Sequence, residues 1–256
     1  GYLKKMVLTL NNVINIKKGY LPIHGAGLSI VLQNDKTVNI VILGDSGAGK
    51  SESIEAFRTL AKDYIKEMTI VFDDMGSFRI KDGKVYAYGT EIGAFVRLDD
   101  LDAGYAFKQI DRSIFMNPDK VNARLIMPVA SFEEINKGYE VDFFLYADNY
   151  SAVLDGESSI EILDEKKEAL RIFKRGGRLA KGTTTETGLV QTYFANPFGP
   201  VQKMEECDKL LDQYFETLYK NEVKVGTIRT QLALDNMQFE GPKAAAIELF
   251  ELIKDM

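Results

Sequence analysis

Short β-branched apolar runs alternate with longer amphipathic stretches along most of the chain, the patterning of an α/β protein. A mostly apolar segment from Met6 to Ile16 is followed by Lys17-Lys18-Gly19 and Leu21-Pro22-Ile23, which read as punctuation. Leu28–Leu32 and Val38–Leu43 then form two strand candidates about a polar turn at Gln33–Lys36, so a mixed sheet is expected rather than a plain βαβ run. Ile54, Phe57, Leu60, Ala61, Tyr64 and Ile65 recur at helical spacing, and Met68–Phe72 reads as a buried strand ending at Asp73-Asp74. The Lys81–Lys84 turn, with its Asp-Gly pair, predicts a hairpin between Phe78–Ile80 and Val85–Tyr88. Residues 98–121 carry no regular pattern.

Further along, Val141–Tyr146 predicts a strand, and Asp164–Lys174 a helix stopped by Gly176-Gly177. A threonine-rich loop over 182–188, a solvated connector or a lid, precedes a strand expected at Leu189–Phe194. A helix over 204–219, a strand over 222–228 and a last helix burying Ile247, Phe250 and Ile253 complete the expected elements. The stretch Arg229–Gly241 between these last two has no assignable element. No repeat or long linker interrupts the chain, so one domain spanning residues 1–256 is expected.

Composition narrows the function classes. Hydrophobic content of 45% and charged content of 27% are ordinary for a globular domain. A net charge of −6 argues against nonspecific nucleic-acid or anionic-membrane binding, which uses broad basic surfaces. No apolar run approaches the ~20 residues of a membrane span, and no signal peptide opens the sequence. The single cysteine, Cys207, fits a reducing compartment, so a cytoplasmic location is expected. It shares a helical stripe with Met204, Leu210, Leu211, Tyr214, Phe215 and Leu218, which predicts a buried, inert thiol. The chain opens Gly1-Tyr2 with no initiator methionine, as expected of a piece of a longer protein.

The chemistry centres on Gly44-Asp45-Ser46-Gly47-Ala48-Gly49-Lys50-Ser51, a complete G-x-x-x-x-G-K-[ST] string between a strand and a helix. Its glycines let backbone N–H groups close around phosphate oxygens at a helix N-terminus. Gly44, Ser46, Gly47, Ala48, Gly49, Lys50 and Ser51 are therefore the candidate nucleotide-binding residues, with Lys50 on the β- and γ-phosphates and Ser51 on Mg²⁺. Asp73-Asp74 at the end of an apolar strand is placed to face the metal or to be a hydrated acidic pair. His24, the sole histidine, lies just ahead of the strand pair that delivers the loop.

Lys4-Lys5, Leu21-Pro22-Ile23-His24, the phosphate loop and Phe72-Asp73-Asp74, in this order, resemble the catalytic domain of phosphoenolpyruvate carboxykinase, particularly its ATP-dependent branch. His24 stands 19 residues beyond Lys5, as in that family. The resemblance implies a mixed-sheet P-loop α/β fold, with a catalytic Mn²⁺ held by Lys5, His24 and Asp74 and with Asp73 supporting Mg²⁺. Imidazole and carboxylate suit a first-row divalent ion, and a lysine can join them only when burial keeps it neutral. Glu91–Arg97 is similar to the family's Glu-Gly-Gly segment, with Arg97 at its lysine position. Asn122-Ala123-Arg124 resembles its Asn-Thr-Arg segment, which makes Arg124 the residue bridging phosphate and substrate. Phe144–Asp148 and Tyr193–Phe198 match two further runs, so the likeness extends over roughly residues 1–225.

The departures are as informative. Asp45 stands where the family has a hydrophobic residue, and Ser51 where it has threonine. That version of the loop, together with His24-Gly25, resembles HPr kinase/phosphorylase. Arg97 replaces a compact charge by a planar fork. The loop over 182–191 is shorter than the family's, and no base-binding tryptophan region follows Val225, which leaves ATP against GTP open. The family's N-terminal domain, which supplies an arginine for oxaloacetate, is not among these residues. The resemblance implies phosphoryl transfer with ATP, Mg²⁺ and Mn²⁺, in the family from ATP to oxaloacetate with loss of CO₂. The alternatives are a serine protein kinase of the HPr kinase sort, with Asp74 as general base, and a non-catalytic nucleotide-binding module.

Overall fold

The computed structural model describes residues 2–60, 64–97, 114–116, 124–180 and 188–254. Helix α1 (Tyr2–Lys17) leads into β1 (Leu21–Leu32), a tight turn, β2 (Thr37–Leu43), the Gly44–Gly49 loop and α2 (Lys50–Leu60). The strands β3 (Ile65–Phe72), β4 (Met75–Lys81), β5 (Lys84–Gly89), β6 (Gly93–Arg97), β7 (Ile114–Met116) and β8 (Arg124–Pro128) follow. Short α3 (Phe132–Asn136), β9 (Tyr139–Glu140), β10 (Phe143–Asp148), β11 (Ile160–Ile162), α4 (Lys166–Arg175), β12 (Gly177–Leu179) and β13 (Leu189–Gln191) come next. The last elements are α5 (Met204–Lys220), β14 (Lys224–Arg229) and α6 (Glu240–Lys254).

Among the described residues nine strands form one open mixed sheet in the order β11-β14-β10-β2-β1-β4-β5-β9, with β3 also paired to β1. Most neighbours are antiparallel, but β10 runs parallel to both β2 and β14. The fold is therefore mixed α/β, and the antiparallel β1–β2 hairpin before the glycine loop is the arrangement its two apolar runs predict. Strand alternation supplies a core on each side. Val41, Leu43, Phe144 and Tyr146 pack with Phe173 of α4 and Leu211, Tyr214 and Phe215 of α5. Ile40, Ile42, Phe143 and Leu145 pack with Ile54 and Phe57 of α2 and Ala245, Leu249 and Phe250 of α6.

One strand serves several neighbours. On one edge β1 pairs with β2 through Gly25–Val31. On the other it pairs with β4 through Leu21–His24 and with β3 from Gly27 onward. Gly27 and Gly76 lie so close to the Phe72 ring that a Cβ on either would sit 2.5 Å from its Cε1. Bare backbone at these two positions lets the fully buried ring fit where β1 changes partner.

Several expectations need correction. Leu21-Pro22-Ile23 opens β1 rather than punctuating it, because Pro22 lies ahead of the part paired with β2 and its missing N–H removes no bond there. Tyr64 and Ile65 do not continue α2: Ile65 begins β3, and Ala61 lies outside the described residues. The strand expected to reach Phe194 stops at Gln191, since Phe194 and Ala195 take positive φ in a 3₁₀ turn. Ile247 and Met204 are exposed, at 41% and 43%, each at the edge of a helical stripe whose other members are buried. Of the patternless stretch 98–121 only β7 is described, and the threonine-rich loop falls outside the described residues except for Gly188. Gly176 stops α4 as expected, in a left-handed conformation whose N–H bonds to the Ile172 carbonyl.

Candidate functional site

The three parallel strands β2, β10 and β14 end side by side, and the residues that follow them, Gly44, Asn149 and Thr230, meet at one place. Gly47 and Gly49 take φ of 77° and 92°, so the chain reverses between β2 and α2 without a Cβ penalty. Gly49 also packs against Thr230, whose Oγ1 a Cβ there would meet at 2.6 Å.

Four of the loop's carbonyl oxygens are taken up by the protein itself. Lys50 Nζ donates to the Asp45 carbonyl (2.8 Å), Asn149 Nδ2 to Gly47 (2.9 Å) and Thr230 Oγ1 to Ala48 (2.8 Å). The Gly49 carbonyl accepts from the Ser53 N–H and hydroxyl. Lys50 is 7% exposed, and burial lowers its pKa against the opposing pull of Asp74, Asp45 and Asp73. Ser46 lies on the exposed side of the loop, its N–H donating to Asp45 Oδ1 at 2.7 Å.

Beside the loop, Ser51 Oγ donates to Asp73 Oδ1 at 3.0 Å. Burial pushes Asp73 up to about 6. Its neighbour behaves oppositely. Burial works to raise Asp74 as well, but the His24 imidazole and the Lys4 ammonium outweigh it and hold the carboxyl well below its usual range. His24 Nε2 lies 3.3 Å from Asp74 Oδ1, while its Nδ1 lies 2.7 Å from the carbonyls of both Ala195 and Asn196. Facing two carbonyl oxygens, Nδ1 is the donor on that side of the ring, and Nε2 faces Asp74 on the other.

Lys4, rather than Lys5, reaches Asp74: its Nζ is 2.6 Å from Asp74 Oδ2 and 3.2 Å from Glu91 Oε2. Consecutive residues on α1 point about 100° apart, and Lys5 instead lies over the Phe198 ring, 5.4 Å from its centroid. Burial pushes Glu91 up to about 7, and its Oε1 is buried with no hydrogen-bond partner among the described residues. Arg97 and Arg124 are paired across β6 and β8, in a separate three-stranded sheet whose third strand is β7.

Gly44–Ser51, Asp73, Asp74 and His24 thus lie together, with Lys4 joined to them. Sequence reasoning did not single out Arg178, Thr192, Asn149 or Thr230, which brace the loop. Asn149 and Thr230 carried one usable signal, a polar residue directly after a buried strand. Arg178 carried none beyond a charge following the helix-stopping glycine pair. No group of three or more His, Cys, Asp or Glu side chains is gathered into a metal cage among the described residues. No helix among them is long and apolar enough to cross a membrane.

The class these observations define is a mixed α/β chain with a braced glycine-lysine loop at the carboxyl ends of parallel strands. Comparison with protein-family models and with curated proteins finds no match to either.

Proposed function

We propose that this chain binds a nucleoside triphosphate with Mg²⁺ through Gly44–Ser51 and is a phosphotransferase domain of the phosphoenolpyruvate carboxykinase kind. The observation that carries the reading is the loop's bonding. The carbonyls of Asp45, Gly47, Ala48 and Gly49 and the N–H groups of Gly44, Ser46 and Ala48 are bonded within the protein, so the N–H groups of Gly47, Gly49 and Lys50 at the start of α2 are what the loop has to offer an anion. On this reading the Lys50 ammonium exchanges the Asp45 carbonyl for phosphate oxygen, and Ser51 with Asp73 serves Mg²⁺.

A second divalent ion beside it belongs to the same proposal. An imidazole nitrogen whose ring is oriented by backbone carbonyls and an adjacent carboxylate are two donors of the kind Mn²⁺ takes. Such an ion would supply Lewis acidity. The family likeness makes Lys5 a neutral ligand of that ion, whereas here it is Lys4 that lies on Asp74, as a charged partner of the carboxylate. Arg97 and Arg124 are proposed to bring positive charge to the transferred group and the substrate. ATP is the expected nucleotide, with GTP as the competing one.

Titration calorimetry with Mg²⁺-ATP tests the reading. Lys50→Ala is expected to weaken binding by on the order of 2–3 kcal/mol, as for loss of a charge-assisted hydrogen bond. Unchanged affinity in that variant, or no binding by the parent chain, would refute it.

A further inference from the structure

Asp45 presents an electrostatic problem. A carboxylate in the second position of a phosphate-binding loop repels the anion the loop is built to hold. The structure answers it with a buried cation from a distant part of the chain. Arg178, 4% exposed, donates through Nε to Asp45 Oδ2 at 2.8 Å, and Thr192 Oγ1 donates to the same oxygen at 2.9 Å. The other oxygen accepts the Ser46 N–H at 2.7 Å and lies 3.8 Å from His24 Nδ1.

The two donors are held in register with each other. Gly176 packs against the Thr192 carbonyl, leaving no room for a Cβ, and the Thr192 N–H bonds back to the Gly176 carbonyl at 3.0 Å. Beyond it β12 and β13 pair Arg178 with Val190. Asn149 ties the same hairpin to the loop, accepting from the Leu179 N–H while donating to the carbonyls of Leu179 and Gly47.

Resting on the proposed nucleotide site, we infer that Arg178 is a positioning residue for the triphosphate, acting through Asp45. It cancels the Asp45 charge and fixes the loop, so that the net field met by the phosphates is set by Lys50 and the backbone N–H groups. Removing the guanidinium alone leaves the buried carboxylate beside the ligand with only the Thr192 and Ser46 donors and the neighbouring His24 ring, whereas removing both charges restores neutrality. The penalty must also grow with the ligand's own charge.

The experiment measures Mg²⁺-ADP and Mg²⁺-ATP binding by calorimetry for the parent chain, R178M, R178K, D45N and the double variant R178M/D45N. R178M is expected to lose about tenfold or more in ATP affinity and distinctly less in ADP affinity. R178K should fall between it and the parent. The double variant should return to within about threefold of the parent, and D45N alone should bind ATP at least as tightly as the parent. Equal binding by R178M and parent, equal losses for ADP and ATP, or no recovery in the double variant would each overturn the inference. If R178M does not fold, D45N decides: weakened ATP binding there overturns it, and undiminished binding supports it. A parent chain that binds no nucleotide removes the proposed function and this inference together, an outcome distinct from all the others.

Discussion

Replacing Gly76 by alanine tests how the acidic pair is held in place. A methyl group there would lie 2.5, 2.6 and 2.7 Å from Cε1, Cδ1 and Cζ of Phe72, the residue directly before Asp73. Carbon atoms settle at about 3.5–4.0 Å, so the ring or the backbone must move by roughly 1 Å. The ring is fully buried and belongs to the cluster that includes Phe78 and Phe144, and Gly27 faces it with the same closeness. The cost should therefore lie in the upper part of the overpacking range, about 2–3 kcal/mol. With a urea m-value of about 3 kcal/mol/M for a chain of this size, the midpoint falls by somewhat under 1 M. Phe72→Leu removes the ring edge and costs about 1–2 kcal/mol alone, less than truncation to alanine. Because leucine lacks two of the three atoms nearest the methyl, Cε1 and Cζ, and can turn its Cδ atoms aside, the double variant Gly76→Ala/Phe72→Leu should be more stable than the sum of the singles, by about 1 kcal/mol or more. Strict additivity, or a Gly76→Ala variant within about 0.5 kcal/mol of the parent, would refute the packing argument.

Two further outcomes are expected. Glu248 on α6 accepts from the Ser158 hydroxyl at 2.7 Å and from the Ser159 N–H at 2.6 Å; burial works to raise its pKa, but these bonds outweigh it and the pKa is lowered. Its stabilisation is therefore present above the ordinary value of 4.5 and is lost as pH falls through the lowered folded-state value, so Glu248→Gln should destabilise at pH 7 by on the order of 1 kcal/mol. The two denaturation curves should converge below that folded-state value, and a difference persisting in full at pH 2 would refute the assignment. Cys207 is fully buried, and burial pushes its thiol up to about 12, so a thiol reagent at pH 8 should label it only on unfolding. Rapid labelling of the native chain would show that the face of α5 carrying Cys207 is not packed into the core.

The elements with strong local signals are legible in the sequence itself. Val38–Leu43, the glycine loop and the helix start carry their own periodicity and turn chemistry, and the Gly176 helix stop needs only a left-handed residue. What the sequence does not reveal is what tertiary packing decides. Pro22 looks like a strand breaker until β1 is seen to carry it ahead of its contact with β2. Ile65 fits the preceding helical stripe as well as the strand it actually opens. The choice between Lys4 and Lys5 depends on the rotation of α1 about its axis, which no spacing along the chain specifies. Arg178 reaches Asp45 from 133 residues away, and nothing local to either residue announces the other.

That distance in sequence has a kinetic side. His24 meets the carbonyl of Ala195 across 171 residues and Thr192 meets Asp45 across 147, so the bonds that brace the glycine loop close only when widely separated parts of the chain have docked. Contacts of such high sequence separation form late and slowly, because the entropy of closing the intervening loops comes first. A chain emerging during synthesis, or one trapped with only its first half folded, would hold the complete glycine-lysine motif without its supports. Nucleotide affinity during refolding should accordingly appear as one of the last signals, after secondary structure and after the bulk of the core.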